Sequence, residues 1–201
     1  LGYRGSLSEW LTLDASWYYH EYDRLLSTEN SFFIEQQPLP AHAVVAGTFD
    51  NQTEAETYGF EVAANIRVSS SWQISSSYSW LRLRARNVAG STDEITVQEL
   101  EGGAPEVMYQ LRSRWDIGSN VQLDVAAFYT DDIGAGTRNG FEQVPDYTRV
   151  DVRVGWSPSE AITLGVFGQN LLDDSHVEIV SADIQSSQLP RVFGAEVILE
   201  F

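Results

Sequence analysis

The stretch Arg191-Val192-Phe193-Gly194-Ala195-Glu196-Val197-Ile198-Leu199-Glu200-Phe201 alternates strictly, with Phe193, Ala195, Val197, Leu199 and Phe201 on one side and Glu196 and Glu200 on the other. Side chains of an extended strand point alternately to its two faces, so this segment reads as a strand with one apolar and one acid-bearing face. Chain ends usually fray. A strand that finishes on an aromatic residue is therefore expected to be anchored, and the apolar set is read as the insertion signal of a membrane barrel's closing strand.

Upstream, the same unit recurs. Segments rich in aromatic and β-branched residues run from Trp10 to Arg24, Glu54 to Val68, Trp72 to Arg86, Pro105 to Asp116, Val121 to Asp131, Asp146 to Trp156, Ala161 to Asn170 and Leu189 to Phe201, which predicts about eight strands. Their connections alternate. Ser69–Ser71, Gly118–Asn120 and Ser157–Glu160 are tight, whereas Leu25–Thr53, Asn87–Ala104, Asp132–Pro145 and Leu171–Gln188 are long. Short periplasmic turns and long extracellular loops are the signature of an outer-membrane barrel. The fold class expected is all-β, an antiparallel transmembrane β-barrel.

Composition fits that reading. The chain has 43% hydrophobic and 12% aromatic residues, with six Trp available for interfacial girdles. It contains no apolar run of the eighteen or so residues that a spanning helix needs, and barrel strands dilute their lipid-facing residues one-to-one with polar ones. All 12 basic residues are Arg, against 29 acids, for a net charge of −17. Such acidity opposes binding of nucleic acid, whose phosphates need a basic footprint. With no Cys there is no disulfide or thiolate site. The chain starts at Leu1-Gly-Tyr-Arg-Gly5, without a Met start or signal peptide, and is read as a fragment or processed piece.

The faces can be assigned strand by strand. Leu11, Leu13, Ala15, Trp17 and Tyr19 oppose Thr12, Asp14, Ser16, Tyr18 and His20. Tyr58, Phe60, Val62, Ala64, Ile66 and Val68 oppose Glu61 and Arg67. The inward charges Asp14, Glu61, Arg67, Arg112, Arg114, Asp124, Arg149, Asp151 and Arg153 are expected to line a lumen, pairing with one another or with whatever fills it. One strand departs from the pattern. After Trp72, Ile74, Ser76, Tyr78 and Trp80, its outward phase carries Arg82, Arg84 and Arg86. An Arg at bilayer mid-depth costs about 2–4 kcal/mol, so the row is placed beyond the hydrocarbon, against phosphates of outer-leaflet lipopolysaccharide. The competing expectation is a β-bulge near Trp80 that turns the row inward.

Several stretches carry a family resemblance. Val144-Pro-Asp-Tyr-Thr-Arg-Val-Asp-Val-Arg-Val-Gly-Trp156, Ile162-Thr-Leu-Gly-Val-Phe-Gly-Gln-Asn-Leu-Leu-Asp173 and the terminal strand resemble the C-terminal end of TonB-dependent outer-membrane receptors. Gln169-Asn-Leu-Leu-Asp-Asp174 is the most specific element, Glu56-Thr-Tyr-Gly-Phe-Glu61 resembles a recurring strand opening, and Leu1–Arg4 the close of an earlier strand. The resemblance implies that residues 1–201 are the last part of a roughly 22-stranded barrel with a plugged lumen. It further implies that the plug and the first barrel strands precede Leu1. The implied function is import of a scarce nutrient, most often a ferric siderophore, driven through the TonB complex in the cell outer membrane of a Gram-negative bacterium. Ligand capture would fall to the loops, with Phe32, Phe33, His42 and Phe49 as candidate contacts.

Catalysis is not expected. There is no glycine-rich phosphate loop and no His-Glu-x-x-His helix, and the three His, at 20, 42 and 176, are far apart. Neither a resident cofactor nor a metal is expected, and Asp173, Asp174, His176 and Glu178 read as a solvated loop. Two other architectures answer to the same alternation: a closed eight-stranded barrel serving as an adhesin, structural protein or lipid-modifying enzyme, and a soluble β-sandwich binding module.

Overall fold

The computed structural model describes residues 1–36, 40–93, 95–137, 140–179 and 187–200, so Phe201 lies outside the described residues. One nine-stranded antiparallel sheet dominates. In chain order its strands are β1 (Gly2–Ser8), β2 (Leu11–Glu35), β3 (His42–Arg67) and β4 (Trp72–Asn87), then β5 (Val107–Ile117), β6 (Val121–Thr130), β9 (Tyr147–Ser159), β10 (Ile162–Gln169) and β13 (Val192–Leu199). Two small hairpins, β7–β8 (Ile133–Thr137, Gly140–Val144) and β11–β12 (Ser175–Val177, Gln188–Pro190), and a short helix α1 (Thr96–Gly102) occupy the long connections. Every neighbour in the sheet is the next strand along the chain apart from these insertions, which makes an up-and-down meander.

Cross-strand register turns the sequence alternation into two continuous faces. Trp17 pairs with Phe60, Phe60 with Trp80, and Trp80 with Val107. Further on, Leu111 pairs with Ala127, Ala127 with Val150, and Val154 with Val166. Leu164 then pairs with Val197 and Gly168 with Phe193. Two aromatic rows edge the apolar face. Trp72 and Trp115 meet with tilted rings at 5.7 Å toward the short turns, with Trp156 on the same rim, and Trp17, Tyr58, Phe60, Tyr78 and Trp80 lie toward the long loops. Trp72 and Trp80 are eight residues apart on one strand, about 26 Å at 3.3 Å per residue. That separation suits a barrel's apolar band.

This face has nothing folded against it. Val144 is the single buried hydrophobic residue among the described residues, while Phe193 and Val197 are 72% and 65% exposed. A soluble chain of this size would bury many such side chains, so the β-sandwich reading fails because, among the described residues, no second sheet covers this apolar face. The closed eight-stranded barrel fails as well: the sheet has nine strands, with β1 and β13 as its two unpaired edges. The ninth strand is β1, formed by the segment around Leu1–Arg4.

The long connection expected at Leu25–Thr53 proves to be mostly strand. β2 and β3 continue pairing from Ser27↔Asp50 to Glu35↔His42, beyond the last β3–β4 pair at Thr53↔Asn87. The hairpin therefore projects about 25 Å past its neighbours at 3.3 Å per residue. Register shifts between Tyr22 and Ser27 mark its base, where Arg24 adopts φ 58°.

Close strand contact is made possible by glycines lying under aromatic rings. Tyr18 covers Gly59, Phe167 covers Gly194 and Phe193 covers Gly168, each pair directly cross-strand. A Cβ at Gly59 would meet the Trp80 carbonyl oxygen and the Tyr18 hydroxyl. Gly59→Val in a full-length receptor should abolish the heat-modifiable folded band on gels, whereas Gly47→Ala, whose Cβ has 3.4 Å to Thr28, should leave it intact.

Candidate functional site

The polar face gathers the inward charges, and the structure pairs most of them. Arg153 on β9 lies 3.3 Å from Asp124 on β6 and 2.5 Å from Glu196 on β13. It reaches Glu196 across β10 because Gly165 leaves the intervening space to the Glu196 side chain. Arg149 pairs with Asp151 at 2.7 Å, and Arg4 donates to Asp14 at 2.5 Å. Arg114 sits 3.8 Å from Asp124. Arg112 and Arg149 both lie over the Phe128 ring, at 5.5 and 5.6 Å. Glu61 and Arg67 form no ion pair among the described residues. A cavity of about 280 Å³ opens on this wall between Arg112, Arg114, Asp124, Arg153 and Phe167.

At the long-loop end, Ser91, Thr92 and Asp93 grip the base of the projecting hairpin. The Thr28 N–H donates to Asp93 at 2.6 Å and the Asn30 N–H donates to the Thr92 hydroxyl at 2.7 Å. Glu29 accepts from the Thr92 N–H, the Ser91 hydroxyl and the Ser27 hydroxyl. Behind these, Ser27 and Thr53 are fully buried, and Thr53 donates to Asn87 at 2.9 Å. Burial raises the Asp93 pKa, but hydrogen bonds from Thr96, Thr28 and Ile95 outweigh it and bring it down to about 2. Glu29 is lowered mainly by the Thr92 N–H and then by the Ser27 hydroxyl.

A second anchor closes the far side. Asn170, fully buried at φ 53°, donates its N–H to Asp151 at 3.0 Å and its side-chain amide to the Leu189 carbonyl at 3.1 Å. It thereby ties the end of β10 to the return of the last loop. Asp174 pairs with Arg191, and His176 stacks on Tyr147 at 4.3 Å with Nε2 3.2 Å from Glu178.

Residues 1–171 match the family described as TonB dependent receptor-like, β-barrel. The chain belongs to this family. Its fold superposes on the siderophore receptor PiuA of Acinetobacter baumannii with a TM-score of 0.72 at 18% identity, covering 98% of this chain and 27% of that one. The ferric-catecholate import receptor Fiu of E. coli K12 gives 0.69 at 17% identity over 100% and 27%. The pyoverdine receptor FpvA of Pseudomonas aeruginosa PAO1 gives 0.72 at 14% identity over 100% and 29%. The chain thus spans between a quarter and a third of the length of these receptors. No curated protein sequence matches it.

As part of a TonB-dependent receptor barrel, the sheet's apolar face meets lipid, its polar face meets the lumen, and its long connections are extracellular. The matched family and these neighbours are receptors, not enzymes. Phe193, Ala195, Val197 and Leu199 lie on the lipid side of β13. The four candidate ligand contacts do not converge. Phe32 and Phe49 sit on one face of the projecting hairpin, 68% and 76% exposed, while Phe33 and His42 sit on the other, where His42 Nε2 is 3.2 Å from Glu35. Arg82, Arg84 and Arg86 keep the outward phase, since β3 and β4 pair without a shift from Arg67↔Gln73 to Thr53↔Asn87. The β-bulge alternative is thereby excluded.

Asp93 and Asn170 escaped the reading of the sequence. Asp93 stands just before a helix, where a carboxylate commonly satisfies free N–H groups, and that signal was available. Asn170 sits within the most specific motif, yet its left-handed conformation leaves no periodic trace.

Asp93→Ala should free the hairpin base at a local cost of about 1–3 kcal/mol, for loss of hydrogen bonds to a charged acceptor. Amide exchange at Thr28 and Asn30 should then quicken roughly tenfold to a hundredfold. Because the folded value lies below the unfolded one, the clamp is at full strength above about pH 4 and weakens as pH falls toward about 2. Hydrogen-exchange mass spectrometry of the wild type, corrected for intrinsic rates, should show protection unchanged between pH 7 and 5.

Proposed function

We propose that residues 1–201 form a C-terminal section of the barrel of a roughly 22-stranded outer-membrane receptor that imports a ferric siderophore. Energy would come from the TonB complex, engaging a segment and a plug that these strands do not supply. The support is family membership together with the fold shared, along the whole chain, with a receptor named for a siderophore and another named for ferric-catecholate import. The barrel wall contributes what such a task requires of it: a charged lumen lining held by its own ion pairs, and a stiff extracellular hairpin clamped by Asp93 and Glu29.

In this reading Phe32 and Phe49 present exposed aromatic area toward ligand, since large rigid side chains dominate recognition energies. The full-length receptor, expressed in a strain lacking its other iron receptors, should take up radiolabelled iron from a ferric siderophore only when TonB is present. Uptake of cobalamin, haem or a copper complex in its place would replace the ligand assignment. Phe32→Ala combined with Phe49→Ala should weaken ligand binding about tenfold, or about 1.4 kcal/mol, with surface display unchanged.

A further inference from the structure

The lumen wall satisfies most of its cations and leaves three. Arg4, Arg149 and Arg153 each pair with an acid. Arg67 and Arg112 form no ion pair among the described residues, and Arg114 comes no nearer to Asp124 than 3.8 Å. These three stand together. Arg67 on β3 pairs in register with Gln73, Gln73 pairs with Arg114 on β5, and Arg112 is the next residue of the same phase along β5. At about 4.8 Å per strand and 3.3 Å per residue, their Cα atoms fall within about 12 Å of one another. The residues between them are uncharged, and two of these, Ser75 and Asn65, are hydrogen-bonded to each other at 2.7 Å.

Arg112 and Arg114 border the cavity of about 280 Å³, whose lining also includes Phe167 and Gln169. Both carboxylates of that cavity are already engaged, Asp151 by Arg149 and the Asn170 N–H, and Asp124 by Arg153. Asp116, the next residue of this phase toward the short turn, forms no ion pair with Arg114. Like charges at this spacing repel, and a partly wet wall screens them less than open water does. A chain with 29 acids and 12 Arg has carboxylates in excess, yet leaves these three cations to be met from outside the wall. Their depth is informative as well. Gln73 and Arg114 directly follow and precede Trp72 and Trp115 of the aromatic row near the short turns, which puts the arc at the periplasmic end of the lumen. The acids of the extracellular loops stand in water, where salt screens a charge within about 8 Å, so they do not set the field at this depth.

We propose that Arg67, Arg112 and Arg114 form an exit-side anion site that receives the imported ferric complex, and that this complex carries net negative charge on deprotonated oxygen donors. Guanidinium forks match paired oxygens, and ferric catecholates present such oxygens with net negative charge, whereas simple ferric hydroxamates are neutral or cationic. The site rests on the import reading. It adds the charge class of the cargo and a point on its path, at the opposite end of the wall from the extracellular hairpin.

The test uses the full-length receptor in a strain lacking its other iron receptors, with radiolabelled iron supplied as an anionic ferric tricatecholate or as a neutral ferric trihydroxamate. Arg67→Gln, Arg112→Gln and Arg114→Gln are combined, and surface display and heat-modifiable mobility are checked first. Wild type should import the tricatecholate. The triple variant should lower its maximal uptake rate about tenfold, or about 1.4 kcal/mol, while the affinity of cells lacking TonB, where only the outer surface is engaged, stays at the wild-type value. Arg67→Lys, Arg112→Lys and Arg114→Lys together should recover part of the rate, since the charge is kept and the fork is lost. Where the triple variant fails the mobility check, Arg112→Gln alone should lower the rate about threefold. Preference for the trihydroxamate, or a variant as fast as wild type, would overturn the site and leave iron import standing. An equal loss for both complexes would also overturn it, by showing that the arc holds carboxylates of the protein itself. Uptake of neither iron complex would remove the import reading and the site with it.

Discussion

An unbroken main-chain ladder across the apolar band is the constraint on which the rest of this structure depends. In hydrocarbon an unpaired N–H or C=O costs several kcal/mol, with no water to take its place. The registers accordingly run without a shift through β3–β4, β4–β5, β5–β6, β6–β9 and β10–β13. Irregularities fall only outside the band: Ser6/Ser8 and Ile162/Leu164 near the short turns, and Tyr22 to Ser27 at the foot of the extracellular hairpin. Because a one-residue slip would exchange the two faces, the same ladder also decides which side chains meet lipid.

Once water is available again the chain is free to change its rules, and it does so within a few residues. Above the outer aromatic row, β4 carries Arg where it carried Trp, β2 takes up a left-handed Arg24, and the ladder gives way to side-chain clamps. Glu29 and Asp93 accept N–H groups that no neighbouring strand is there to satisfy. This is how a two-stranded extension, marginal by itself, acquires a fixed base. Asn170 does the corresponding work for the last loop, joining Asp151 to Leu189.

Faces and strand order were legible in the sequence because period-two alternation acts locally and the band enforces it: Val150, Val152, Val154 and Trp156 lie on one side in the sequence and on one side in the sheet. The hairpin was not legible. In Ser27–Glu35 and His42–Asp50 apolar residues occur on both faces, so the alternation that announces a half-buried strand is absent, and pairing rests on contacts distant in sequence. The Arg row was legible in its phase but not in its partners. Glu106 and Glu101 reach it from the segment around α1, whose placement no periodicity could give. Likewise the lumen charges could be assigned a face, but the bridge from Asp124 through Arg153 to Glu196 depends on Gly165 clearing the space between strands.

The charge of −17 is then a property of the wetted parts alone. Among the described residues, no Asp, Glu or Arg stands on the lipid face between the two aromatic rows, and the acids described lie in the lumen, in the turns or beyond the outer aromatic row. Within that partition Arg serves where Lys would serve less well. Its delocalised, weakly hydrated cation can sit over an aromatic ring while still bonding a carboxylate at its edge, as Arg149 does over Phe128 and against Asp151, which suits a wall that is only partly wet. The chain's exclusive use of Arg is consistent with placing most of its cations on such surfaces: Arg4, Arg67, Arg112, Arg114, Arg149 and Arg153 on the lumen side, and Arg82, Arg84 and Arg86 above the outer aromatic row.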